Sequence, residues 1–400
     1  MIEIDTKVTF EKWIKEGAKY KAAIQGLNIK EYKNDIIAIN SFEGSLFLGC
    51  TLTNKSAGNI VQKGGLVIKN REEVLFQIHR SKLYSPKELF DGFDITNEDA
   101  YKLTYDNIVY DEYVANGMEN PTSILISLSR RLHDHSITDA LEEIILGRKV
   151  VAIMGGHAME RKDPFYLKIA KIARTLTKKG FLMVSGGGPG AMEATHLGAY
   201  FSTKSEKELE EAIALLKVRP PNAKPNEEYK DKDWLHRAWS VMEAYTIPKG
   251  REKESMSIGI PTWLYGHEPP SPFATHIAKY FANSVREDGL LSIAKHGVIY
   301  APGSAGTTQE IFQDVTKNHY APINDKKKFK RYVSPMILFG TEHWTKKRPL
   351  WDFMKKVSKG KPYGELLHLT EDKDKIIDII VKYKPEEFGY PKEEKANTTI

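Results

Sequence analysis

Hydrophobic and polar positions fall into two textures along the chain. From Lys149 onward, short runs of consecutive apolar residues alternate with stretches of helical period. Val150–Met154, Phe181–Val184, Ser257–Ile260, Gly297–Tyr300 and Pro335–Leu338 predict strands, and Tyr166–Lys179 predicts a helix between the first two. Strands that are apolar on both faces and separated by helices predict a parallel sheet covered on both sides, an α/β fold. Upstream the pattern is mixed. Thr9–Tyr20 predicts a helix, while Ile36–Ile39, Leu46–Leu52 and Leu66–Ile68 predict short strands separated by glycine. Asn97–Leu146 turns helical. The expected organisation is a mixed α/β region over 1–140 and a second α/β domain over 141–390, with a charged, proline-bearing insertion near 204–253.

Composition limits what such a chain can be. At 400 residues it exceeds what one core usually supports, and 41% hydrophobic residues provide for sizeable cores. No apolar run reaches the ~20 residues of a membrane span, and the first residues lack a basic start followed by an apolar block. Cys50 is the only cysteine, so an intramolecular disulfide and a thiolate metal cluster are excluded, and a reducing cytoplasm is the expected location. The net charge of +6 is spread along the chain. Its densest basic runs, Lys326–Arg331 and Lys346–Arg348, read as solvated loops, so neither nucleic acid nor membrane is an expected partner. His133-Asp134-His135 places two histidines on different faces of a helical pattern, which suits a helix end better than a metal site.

Candidate chemistry lies in two glycine loops. Gly186-Gly187-Gly188-Pro189-Gly190 follows the apolar run Phe181–Val184 and leads into Ala191-Met192-Glu193. The first amides of a helix lack partners and carry the positive end of its dipole, and glycine lets an anion approach them closely. Ala191, Ala194, Gly198 and Ala199 keep the helix thin against the sheet. Gly186, Gly188 and Ala191 also satisfy G-x-G-x-x-A, but this lies at the second strand of the domain, and Glu208, Glu210 and Glu211 fall in a charged helix, so a dinucleotide fingerprint is a weak rival. The second loop, Pro302-Gly303-Ser304-Ala305-Gly306-Thr307-Thr308, follows Gly297–Tyr300. There Thr307 and Glu310 also fit an ordinary capping box. Two strand-to-helix loops at one sheet edge could grip a single phosphorylated ligand, and a mononucleotide has that size.

The ordered pair GGGPGAMEA (Gly186–Ala194) and PGSAGTTQE (Pro302–Glu310) resembles the LOG family, whose motifs read GGGxGxM and PGGxGTxxE and whose members are often labelled lysine decarboxylases. The resemblance covers roughly residues 148–385 and includes Met154-Gly155-Gly156 and Trp344. Chain length and Gly266-His267-Glu268-Pro269-Pro270 look closer to the larger bacterial nucleotide 5′-monophosphate nucleosidases than to the short plant cytokinin-activating enzymes.

The resemblance implies a Rossmann-like three-layer αβα fold in a homo-oligomer, dimer or higher, without cofactor or metal. It implies hydrolysis of a nucleoside 5′-monophosphate at the N-glycosidic bond, releasing free base and ribose 5-phosphate. Gly187, Gly188, Gly190, Gly303, Gly306 and Thr307 would hold the phosphate, within a binding set of Gly186–Gly190, Met192, Glu193 and Pro302–Thr308. Glu310 would be the catalytic carboxylate, stabilising oxocarbenium-like charge and activating water. Arg286 is the nearest match to the family arginine, although Glu287 follows it in place of lysine. Ser304 replaces the second glycine of PGG, and Gln309 precedes the glutamate. His157, His267 and Glu268 are expected as a site wall. A decarboxylase would need pyridoxal phosphate on a lysine, and no lysine has a cofactor-binding context. A nucleotide-sensing protein without turnover is the alternative reading.

Overall fold

A computed structural model describes residues 1–71, 73–94, 96–97, 100–217, 224–320 and 333–385, with Lys232 and Pro362 described by backbone alone. The basic run Lys326–Arg331 and the insertion prolines Pro220 and Pro221 lie outside the described residues. The chain forms two compact units, Met1–Leu83 with Ile108–Ile144, and Tyr84–Asn107 with Ile145–Ile400. The excursion Tyr84–Asn107 belongs with the later unit, which a single cut near residue 140 cannot express.

In the first unit, β1 (Ile2–Ile4), β2 (Ala22–Gln25), β3 (Leu46–Leu48) and β4 (Leu66–Ile68) form a parallel sheet in sequential order. Helices Lys7–Lys15, Lys33–Ala38 and Asn54–Gln62 accompany it, and Phe10, Trp13, Ile24, Phe42 and Phe47 fill the core. Ile36–Ile39, expected as a strand, instead supplies the end of helix Lys33–Ala38. Four nearly continuous apolar residues carry no period that separates the two, and only Ile36 and Ile39 of the run are buried. His133-Asp134-His135 lies inside helix Ile124–Ile145, not at a helix end. His133 Nδ1 is 3.2 Å from Asp134 Oδ1, and burial pushes its imidazole below the ordinary range. Cys50 is buried in this unit, its thiol pushed up to about 11.

The second unit contains β5 (Lys149–Met154), β6 (Phe181–Ser185), β7 (Ser257–Gly259), β8 (His276–Ile277), β9 (Val298–Tyr300), β10 (Met336–Phe339) and β11 (Leu367–Thr370). They form a parallel sheet in the order β11-β10-β9-β5-β6-β7-β8. This is a Rossmann-like αβα arrangement. From β5 the chain steps outward through β6, β7 and β8, then returns beside β5 as β9 and steps the other way. The direction reverses between β5 and β9, and the carboxyl ends of the strands at such a switch point are the place where sheets of this kind bind ligands. Helix Pro164–Lys178 starts at an Asp163 cap followed by proline. It lies close on helix Ala191–Tyr200 because Gly198 faces the Ala170 carbonyl, where a Cβ would overlap. Among the described residues no helix is long and apolar enough to cross a membrane.

Candidate functional site

Three loops meet at the switch point. The Gly156 amide donates to the Pro302 carbonyl at 3.1 Å, and its own carbonyl accepts from the Ala191 amide at 3.2 Å, so the end of β5 ties both glycine loops together. A Cβ at Gly155 would lie 2.6 Å from that of Ala191 and 3.1 Å from that of Ala301. Gly190, at φ 68° and ψ −127°, caps the following helix, and a Cβ there would strike the Gly156 and His157 carbonyls. At Gly303 a Cβ would overlap the Thr307 side chain. Gly306 differs: it is exposed within the first turn of helix Ala305–Tyr320, and nothing stands where its Cβ would be. No protein atom demands glycine there.

The first loop is itself buried beneath Met192, Arg286 and Glu268. Met192 Sδ would sit 2.7 Å from a Cβ on Gly186, beside the Arg286 guanidinium, and Glu268 Oε2 would sit 3.4 Å from one on Gly188. The Gly188 amide donates to the thioether of Met192 at 3.4 Å, a weak acceptor that a stronger anion can replace. Gly187 is committed differently. Its amide donates to Ser185 Oγ at 3.0 Å, Ser185 Oγ is 2.7 Å from His196 Nε2, and His196 Nδ1 is 2.9 Å from Ser257 Oγ. Burial pushes His196 down to about 3, so this chain of neutral groups positions the loop.

Glu193 does not reach the opening, which corrects its expected place in the binding set. Its carboxylate accepts from Arg161 Nε at 3.0 Å, Arg161 Nη2 at 2.6 Å and the Tyr166 hydroxyl at 2.8 Å, all buried. Arg161 also donates to the Trp234 carbonyl at 2.9 Å and lies over the Trp234 ring. The pair neutralises a carboxylate that would otherwise repel an anion at the same helix end.

The second loop also departs from expectation in one respect. Helix Ala305–Tyr320 begins before Thr307, so Thr307 and Glu310 make no capping box, and Thr307 is buried against Gly303 instead. Thr308 caps back to the Ser304 carbonyl through its amide at 3.1 Å and its hydroxyl at 3.0 Å, leaving Ser304, Ala305 and Gly306 exposed. Glu310 is half-buried one turn further on. Burial pushes its carboxyl up to about 7, the Arg286 guanidinium pulls it down and Glu287 pushes it up again. Arg286 is aimed by the carbonyls of Ile260 at 2.7 Å and Gly186 at 3.2 Å. Gln309 and Glu287, both departures from the family pattern, bond to each other at 2.7 Å, with Asn283 holding the other Glu287 oxygen at 2.9 Å.

The wall residues gather at the first loop. Glu268 Oε1 lies 3.4 Å from His157 Nδ1 and 3.9 Å from His267 Nε2, with His157 and His267 about half exposed. Burial raises the Glu268 carboxyl, opposed by His157, His267, Arg286 and Lys230. A cluster unforeseen from the sequence anchors this segment. The buried Lys279 ammonium pairs with Asp106, Trp263 Nε1 donates to Asp106 at 3.1 Å, and the Tyr101 hydroxyl bonds Asp106 at 2.6 Å and the Gly266 carbonyl at 3.3 Å. His343, also unforeseen, sets Nε2 3.1 Å from the Gly303 carbonyl, and neighbouring Trp344 donates to the Tyr300 and Phe339 carbonyls. A separate cavity of about 410 Å³, lined by Arg148, Lys178, Arg251 and Lys253, lies at the opposite end of β6 and touches neither loop.

No protein-family model and no curated protein matches the chain. Among solved structures it is similar to the molybdenum cofactor binding protein from the phototrophic bacterium Rippkaea orientalis, at 11% identity and a TM-score of 0.34, over 58% of this chain and 96% of that one.

Proposed function

We propose that the protein is a phosphoribohydrolase of the LOG type, which cleaves the N-glycosidic bond of nucleoside 5′-monophosphates in the cytoplasm, working as a homo-oligomer. The observation that carries this reading is the meeting of two glycine loops at the switch point with a carboxylate, Glu310, raised to about 7 beside Arg286. The 5′-phosphate sits at the two helix ends, taking the Gly188 amide from the Met192 thioether and meeting exposed backbone at Gly306. The ribose lies beside Glu310, and the base faces Gly266–Pro270. As the C1′–N bond lengthens, positive charge grows on the sugar, and ionised Glu310 stabilises it while taking a proton from the attacking water. Arg286 keeps part of the Glu310 population ionised despite burial.

A sensing role without turnover is favoured by one observation: two carbonyls already occupy the Arg286 guanidinium. Chromatography of free bases after incubation with AMP, GMP, CMP, UMP and IMP, paired with thermal shift under the same nucleotides, separates the two. Base release supports the hydrolase; stabilisation without release supports sensing and sinks it.

A further inference from the structure

We infer that Glu268 is a second catalytic carboxylate, the acid that protonates the departing base, an inference that rests on the hydrolase reading. An unprotonated base leaves as an anion, so a site that only stabilises the sugar does half of the work. The structure brings a second carboxyl to the first glycine loop. Glu268 Oε2 reaches over Gly188, and the Arg286 guanidinium acts on both Glu268 and Glu310. The two carboxyls have different surroundings. Glu310 faces Arg286 and Glu287, whereas Glu268 faces two imidazoles, with its side chain 14% exposed.

Its placement is also built. Asp106 and Lys279 are buried together with Trp263, and the half-buried Tyr101 holds the Gly266 carbonyl two residues before Glu268. Trp263 stacks on Phe281 at 4.4 Å between ring centres. A buried ion pair adds little net stability, but a rigid one fixes what it holds. His157, from the loop after β5, then aims the carboxyl from the far side at 3.4 Å.

The step balances without any added reagent. The C1′–N bond breaks with its electron pair going to nitrogen, and the Glu268 proton forms the new N–H bond. Water oxygen bonds C1′, its proton passes to Glu310, and exchange with solvent restores both carboxyls.

The test compares AMP with 7-methylguanosine 5′-monophosphate, whose cationic base departs neutral without an acid. In Glu268→Gln, kcat on AMP falls by about 10²–10⁴-fold while kcat on the methylated nucleotide falls by less than about tenfold. Glu310→Gln loses both. Equal losses of Glu268→Gln on the two substrates, or no loss on either, would overturn the assignment. Should Glu268→Gln melt far below the wild type, His157→Gln decides. The groups facing Glu268 are His157, His267, Tyr229, Lys230, Lys279 and Arg286. Because His157 lowers the Glu268 carboxyl, its removal moves the alkaline limb of kcat upward for AMP and not for the methylated nucleotide; an unmoved limb counts against the role. A wild type that cleaves neither nucleotide fails the hydrolase reading itself, which is a different result from any of these.

Discussion

Removing either member of the Arg161–Glu193 pair should destabilise the second unit severely. In Glu193→Ala, Arg161 loses acceptors at 3.0 and 2.6 Å and stays buried with the Trp234 carbonyl, while Tyr166 loses its partner at 2.8 Å. Charge-assisted bonds contribute about 1.5–3 kcal/mol each, and stranding a buried charge costs about 3–5 kcal/mol, so the larger figure governs. At roughly 2 °C per kcal/mol for a unit of this size, the melting transition should fall by about 6–10 °C. Arg161→Met should cost as much, because it leaves the carboxylate unpaired beneath the first turn of helix Ala191–Tyr200. The double variant Arg161→Met/Glu193→Ala should lose clearly less than the sum, since no charge is then stranded. Differential scanning calorimetry at neutral pH measures all three. Single variants within 1 °C of the wild type, or strictly additive losses, would refute the view that Glu193 is a structural ion-pair partner.

Glu310 should make stability fall as pH rises. A carboxyl raised to about 7 when folded keeps a proton that the unfolded chain releases in the ordinary carboxylate range, so its contribution is complete below that range and is lost through about 7. Glu310→Gln should therefore melt above the wild type near pH 8 and show a shallower pH dependence; parallel curves would contradict the buried carboxyl. Gly190→Ala places a Cβ against two carbonyls at φ 68°, and unfolding titrations should register a loss of about 2–4 kcal/mol. Gly306→Ala, with open space at its Cβ, should instead gain up to about 1 kcal/mol of helix stability while weakening nucleotide binding in a thermal-shift titration; unchanged binding would remove Gly306 from the site.

Much of the second unit is legible in the sequence because β5, β6, β9 and β10 are buried on both faces and read as continuous apolar runs ending in glycine or proline. β8 has two residues and β11 is an edge strand buried only at its two end residues, so neither stands out from its surroundings. Ile36–Ile39 misleads because a short apolar run has no detectable period. The glycine loops are legible because the chemistry of phosphate approach is local. Glu193 and the Asp106–Lys279 cluster are not, since their partners lie far along the chain: Arg161 is 32 residues from Glu193, and Lys279 is 173 residues from Asp106. Thr307 and Glu310 fit a capping box by spacing, yet the helix starts two residues before Thr307, a boundary that spacing alone leaves open.

The central claim is that the crevice between the two glycine loops hydrolyses nucleotides through Glu310. Its most direct test is the quantification of free base and ribose 5-phosphate formed from a nucleoside monophosphate by the wild type and by folded Glu310→Gln. Equal molar release of both products by the wild type, with loss of about two or more orders of magnitude in the variant, is the expected result. No release from any of AMP, GMP, CMP, UMP and IMP, or full activity in Glu310→Gln, would contradict it.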